Sequence, residues 1–285
     1  MPKVAIVTDS IACLTKEMAA QYGIEIVPLT FYSGGKVYKD WVDVTPDEAY
    51  KLFLKDPESF KTSAVLPVDC LKAYRKASKQ GKNILCVTLS SKLSAVYDVA
   101  QGAKEQIKSE LPHISIEVLD SQIATAAEGF IALAAARAAE ERKNLAEVVK
   151  TAEEVRDKVN LVAFMDTVRY VYRSGRIPKV AAVAGSMLSI KPVFTFSSGV
   201  PHFIGAVRNG KHGIERLLKV MKEKAGLGPV HVAVMHVYAS DEAERLKERV
   251  SSEFNCVELW VTEFSPVMGY ACGTGTLGLA FYNDD

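Results

Sequence analysis

Four short polar clusters interrupt the apolar runs of this 285-residue chain: Thr8-Asp9-Ser10, Thr62-Ser63, Ser90-Ser91-Lys92-Leu93-Ser94 and Asp120-Ser121. The third follows Ile84-Leu85-Cys86-Val87-Thr88-Leu89 and precedes a helical pattern reaching Ala100, so it reads as the turn between a strand and a helix. The first backbone N–H groups of a helix lack partners and carry partial positive charge, and Ser94 beside them suits an anionic oxygen. Simple capping of the helix by Ser94 or Ser91 explains the same residues. Asp9 and Asp120 also admit two readings. Together they would be a general acid and base; singly, each organises its own turn by accepting backbone N–H bonds ahead of Ser10 or Ser121, and the second reading is favoured.

Other chemistries lack their devices. A serine hydrolase of the α/β type needs G-x-S-x-G, and Ser91 and Ser94 follow Ser90 and Lys92 instead of glycines. Neither a Walker A loop nor G-x-G-x-x-G after the first strand is present, and Gly273-Thr274-Gly275 reads as a tight turn entering a last strand. His231 and His236 would point to opposite faces of one strand, so no metal site is expected. The five cysteines, Cys13, Cys70, Cys86, Cys256 and Cys272, form no C-x-x-C pair and are odd in number, which argues against a disulfide framework or a four-cysteine zinc site and fits a reducing cytoplasm.

The clusters must be carried by strand ends. Strands are expected at Val4–Val7, Ile24–Leu29, Ile84–Leu89 and Ile114–Leu119, with helices over Thr15–Tyr22, Val68–Lys79, Val96 onward, Ala124–Lys143 and from Asn144 to about Lys158. Such alternation predicts an α/β fold with a largely parallel sheet flanked by helices, whose ligands sit beyond the carboxyl ends of the strands. Gly34-Gly35 within an aromatic, β-prone stretch marks a hairpin excursion near residues 30–60, and Thr45-Pro46-Asp47-Glu48 is a capping box for a short helix. The expected division is a first α/β domain over 1–159 and a second over 160–285. The second has strands at Leu161–Met165, Lys191–Phe196, Val200–Gly205, Val230–His236 and Val257–Val261, and helices at Val180–Leu188, His212–Lys224 and Asp241–Phe254. Ser197-Ser198-Gly199 reads as a hairpin turn, so its sheet should be mixed.

Basic and acidic side chains nearly cancel, 35 against 34, which gives no composition-level pull toward nucleic acid or an anionic membrane. The first apolar run meets Asp9 too early for an export signal, and Glu128 and Arg137 interrupt the alanine-rich segment, so neither a leader nor a transmembrane segment is expected.

Thr8-Asp9-Ser10, Lys61-Thr62-Ser63, Ser90 to Tyr97, Asp120-Ser121, Ser174-Gly175-Arg176-Ile177, Ile190-Lys191-Pro192 and Ala206-Val207-Arg208 also occur in an order that resembles the DegV family of bacterial fatty-acid-binding proteins. The resemblance runs nearly end to end. It implies a cytoplasmic carrier without a cofactor. Such a carrier binds a long-chain fatty acid and presents its carboxyl group to a separate ATP-dependent kinase that forms an acyl phosphate. It further implies that Thr62, Ser63 and Ser94 hold the carboxylate with Arg176 near the headgroup, that Asp9, Ser10, Ser91, Asp120 and Ser121 shape the turns behind them, and that Arg208 and Lys191 meet the kinase or the new phosphate.

The chain departs from the family pattern at Ala95-Val96, at Ala64-Val65, and at Ala271, which stands where the family string has a histidine. Losing that imidazole removes a donor near the carboxyl. A hydrolase or phosphoryl-transfer enzyme using Asp9, Ser94 and Asp120, and a family member that has lost or changed its lipid, are the competing expectations.

Overall fold

The computed structural model describes residues 3–166, 170, 174–176, 190–226 and 228–284. The helix expected at Val180–Leu188, and Ile177, lie outside these residues.

The chain begins with β1 (Val4–Asp9), a 3-10 turn (Ser10–Ala12), α1 (Lys16–Tyr22) and β2 (Glu25–Val27). A small excursion follows: β3 (Thr30–Ser33), β4 (Lys36–Lys39), α2 (Pro46–Lys55) and β5 (Lys61–Ser63). Next come α3 (Pro67–Ala77), β6 (Asn83–Thr88), α4 (Val96–Ile107), β7 (Ser115–Asp120), α5 (Ala126–Glu140) and α6 (Leu145–Lys158). The remainder comprises β8 (Asn160–Phe164), β9 (Lys191–Ser197), β10 (Val200–Val207), α7 (Gly210–Ala225), β11 (Val230–His236), α8 (Ser240–Glu253), β12 (Cys256–Glu263), α9 (Pro266–Cys272) and β13 (Leu277–Asn283). Thr45 with Glu48 and Asn144 with Glu147 close the capping boxes that start α2 and α6, each side chain meeting the other's backbone N–H.

Two main sheets result. The first has the order β2-β1-β6-β7 with every pairing parallel; the second has the order β10-β9-β8-β13-β11-β12 and is mixed. β3, flanked by β4 and β5, makes a separate antiparallel sheet of three strands. The period-2 alternation of a strand is visible in the cores. Val4 and Ile6 of β1 with Leu85 and Val87 of β6 face one cluster, while Ala5 and Val7 with Ile84 and Cys86 face another, shared with α3 and α4.

α5 lies between the two main sheets. Its residues pack with Val4, Ile6, Leu85 and Val87 on one side and with Ala233, Met235, Trp260, Ala280 and Tyr282 on the other. Phe130 meets the rings of Trp260 and Tyr282 edge-on, at centroid distances of 5.5 and 5.2 Å. A helix with apolar or small residues on every face is the sequence such a position demands. Truncation of Phe130 to alanine there would cost about 3–5 kcal/mol.

Candidate functional site

Three of the polar clusters sit at the carboxyl ends of the parallel strands β1, β6 and β7, where their side chains fasten the turns, whereas Thr62-Ser63 ends β5 of the antiparallel sheet, contrary to the expectation that all lie at parallel strand ends. Asp9 is 1% exposed and accepts the N–H of Ile11 at 2.9 Å and of Leu89 at 2.8 Å, tying the end of β1 to the end of β6. Burial pushes its carboxyl up to about 6 against the hydrogen bonds that favour the charged form. Thr8 donates to Glu128, whose carboxyl is fully buried and held well above its ordinary range by burial and by Asp9. Ser10 accepts the Leu29 N–H. Asp120 accepts the Ser91 hydroxyl at 2.5 Å and the N–H groups of Ser91 and Gln122, and Ser121 bonds both ways with Ile123. Asp9 and Asp120 are therefore turn organisers, and neither lines the cavity described below.

Capping is the reading that changes at Ser94. α4 begins at Val96 with Ala95 in the cap position and no side-chain cap, and Ser91 is engaged with Asp120. The first amides of α4 are thus left without a serine partner, and Ser94 lines a cavity instead.

That cavity lies between the two sheets, with about 920 Å³ of open space when the solvent at its mouth is included. One wall comes from β8 and β9, where Leu161, Ala163 and Met165, then Phe194 and Phe196, point inward at two-residue spacing. Ile11, Leu29, Leu89 and Ala124 form the opposite wall, and Phe264 with α9 closes a third side. Gly269 lets α9 approach: a Cβ there would sit 1.9 Å from the Tyr50 hydroxyl oxygen, which donates to the Phe264 carbonyl.

The lining is graded. Ile11, Leu29, Leu89, Leu161, Phe194 and Phe264 are all buried, whereas Thr62, Ser63, Ser94, Ser174 and Tyr270 are partly open and Arg176 is exposed. The buried part of the lining is thus apolar except for Thr125, and its hydroxyls otherwise lie in the partly open part, beside apolar residues such as Ala64 and Leu93. Four of the residues expected to hold a carboxylate, Thr62, Ser63, Ser94 and Arg176, thus line one cavity together with Ala271. β5 delivers Thr62 through its pairing with Phe31 of β3. At the mouth, Arg176 donates through Nη1 to the Ser174 carbonyl at 2.7 Å and to the Tyr270 hydroxyl oxygen at 3.1 Å. The mouth offers donors to an anion, and the interior offers apolar surface.

Lys191 and Arg208 lie elsewhere. Lys191 is ion-paired with Asp166 and lines a separate cleft, on the other face of β8, with Phe164, Lys211 and Arg245. Arg208 is exposed beside Asn209, the cap of α7.

Sequence reasoning missed α9, although Ser265-Pro266 is a cap followed by a first-turn proline and Ser265 does accept the Val267 N–H. Its Met268, Tyr270, Ala271 and Cys272 all line the cavity. Burial pushes the Cys272 thiol up to about 12, so it stays protonated. Glu128 has no role that sequence reasoning assigns; its signal is a charge in the first turn of an alanine-rich helix.

The geometry can be set beside known proteins. The family model described as uncharacterised protein, DegV family, matches residues 3–284. A DegV domain-containing protein of Clostridium perfringens is 32% identical over 280 residues, covering 98% of either chain. Among solved structures, a DegV family protein from Thermus thermophilus described by its fatty acid binding superposes with a TM-score of 0.89 at 27% identity, covering 99% of each chain. A protein from Eubacterium ventriosum described as stearic acid-binding gives 0.90 at 26% identity, over 98% of each.

Proposed function

The chain belongs to the DegV family, and from that premise we propose that its cavity takes a long-chain fatty acid, carboxylate at the mouth and alkyl chain in the interior. The observation that carries this reading is the lining: hydroxyls of Thr62, Ser63 and Ser94 with Arg176 among the residues that solvent reaches, and, Thr125 apart, apolar side chains where it does not. A carboxylate has acceptors only, so it matches a mouth made of donors. Each methylene carried inside contributes about 0.8 kcal/mol, so the tail sets affinity and the mouth sets orientation. The likeness to fatty acid binding structures from Thermus thermophilus and Eubacterium ventriosum supports the same ligand class.

In this reading the protein is a carrier in the reducing cytoplasm, where its five free thiols are stable, and a separate ATP-dependent kinase phosphorylates the presented carboxyl. Arg208, exposed and outside the cavity, is the cation available to that kinase or to the acyl phosphate; Lys191 already shares its charge with Asp166. Asp9 and Asp120, each committed to its turn, leave the competing enzyme reading without an acid and base at Ser94.

Thr62→Ala and Ser94→Ala test the headgroup assignment. Each variant should keep the wild-type melting temperature and retain less fatty acid through purification; unchanged retention in both refutes it. For the kinase step, Arg208→Ala should lose acyl phosphate formation while keeping its lipid, and equal loss of both would reject the assigned role.

A further inference from the structure

Resting on the fatty acid reading, we infer that Tyr270 is the carboxylate-recognising donor on the α9 side of the mouth, its hydroxyl set and polarised by Arg176. Three observations converge on it. The Tyr270 hydroxyl oxygen accepts from Arg176 Nη1 at 3.1 Å, and among the described residues no acceptor takes its proton. A phenol that accepts from a guanidinium is a stronger donor through its own O–H, because the two bonds polarise each other. The proton is thus available to a ligand oxygen at the mouth.

The ring is held as firmly as the hydroxyl. Tyr270 stacks on Phe60 with centroids 5.7 Å apart; Phe60 stacks on Phe31 at 4.9 Å and meets Phe53 edge-on at 5.5 Å. This aromatic row runs from α9 to β3, the strand that pairs with β5 and so fixes Thr62. Tyr270 and Thr62 are therefore positioned by one rigid unit, with Phe60 close to Thr62 in the chain and against Tyr270 in space. Elsewhere on the α9 wall, Met268 and Ala271 have no donor, and Cys272 offers only a weak thiol. Without the Tyr270 hydroxyl, the side chains of α9 would offer the carboxylate no oxygen donor.

A structural role for the ring and a recognition role for the hydroxyl make different predictions for Tyr270→Phe, which keeps the stack and removes only the O–H. Delipidated full-length protein is titrated with palmitic acid and, in parallel, with hexadecanol, which shares the chain and lacks the carboxylate. The expected result is palmitate binding weakened about tenfold or more, in the range of a hydrogen bond to a charged group, with hexadecanol unchanged within about twofold. Equal weakening of both ligands would mean that Tyr270 is only a wall, and unchanged palmitate binding would mean that its hydroxyl is not used; either overturns the inference. Wild-type protein that binds neither ligand would instead overturn the fatty acid reading on which the inference rests.

Discussion

The hydroxyl of Ser90 donates to the carbonyl of Gly199 at 2.8 Å, joining the serine-rich turn after β6 to the hairpin between β9 and β10. The two residues are far apart in the chain and sit in turns that adjoin different sheets. Gly199 has φ +81°, and a Cβ on it would come within 2.8 Å of Ser90 Oγ, so the glycine is required both by the turn and by the contact. Lys92 adds a second link, from Nζ to the Ser198 carbonyl at 2.9 Å. The turn that carries Ser94 is thereby fastened to the sheet whose Phe194 and Phe196 line the cavity.

Ser90 is fully buried, so its replacement by alanine leaves the Gly199 carbonyl without its donor. Ser90→Ala should lower unfolding stability by about 1–3 kcal/mol in a urea titration. A midpoint equal to wild type would show that the two sheets are held in place without this bond.

Asp9 predicts a pH signature. Its carboxyl rises from 3.8 to about 6 on folding, chiefly through burial, so the native state binds the extra proton between those values and loses stability as pH rises through them. The shift corresponds to a contribution on the order of 3 kcal/mol. Asp9→Asn cannot titrate, so the stability of wild type relative to this variant should fall between about pH 4 and pH 7. A difference that stays flat over that window would contradict the buried, proton-binding state.

His231 predicts a loss of the same sign in a higher pH window. Burial alone would lower its pKa, but hydrogen bonds to Glu258 at 2.7 Å and Asp284 at 3.3 Å outweigh it and raise the pKa above 6.5. Its ring lies flat on Tyr282, and Glu258 is also bound by both Nη atoms of Arg137 from α5. A raised folded pKa gives stability that is complete below about pH 6.5 and is lost as pH climbs through the folded value. The advantage of wild type over His231→Gln in thermal unfolding should therefore shrink from pH 6 to pH 9. An advantage that is constant or grows would rule out the charged pair.

Much of this arrangement is legible locally. The capping boxes at Thr45 and Asn144, the Ser198-Gly199 turn and the buried runs of β1 and β6 are written in neighbouring residues, and the matching elements follow. What stays hidden depends on partners distant in sequence. β13 pairs antiparallel with β8 and β11 at once, which no property of residues 277–283 encodes. Glu128 becomes intelligible only beside Thr8, and Tyr270 only beside Arg176 and Phe60. Ser94 illustrates the ambiguity from the other side: its place before a helix suggested a cap, and the chain puts Ala95 there instead.

Chain-length selection should reside in the cavity wall. Met268, partly buried and flexible, lines the cavity on α9, so Met268→Trp fills space without removing a polar group. Binding of a C18 acid should weaken relative to a C12 acid, each excluded methylene costing about 0.8 kcal/mol. Equal weakening of both lengths would place the alkyl chain elsewhere.

The central claim is that a long-chain carboxylate occupies the cavity between the two sheets. Denaturing extraction of purified protein followed by mass spectrometry tests it most directly. A long-chain fatty acid at close to one equivalent per chain, reduced in Thr62→Ala and Ser94→Ala, is the predicted result. Protein that releases no long-chain acid, and takes none up when it is supplied, would contradict the account.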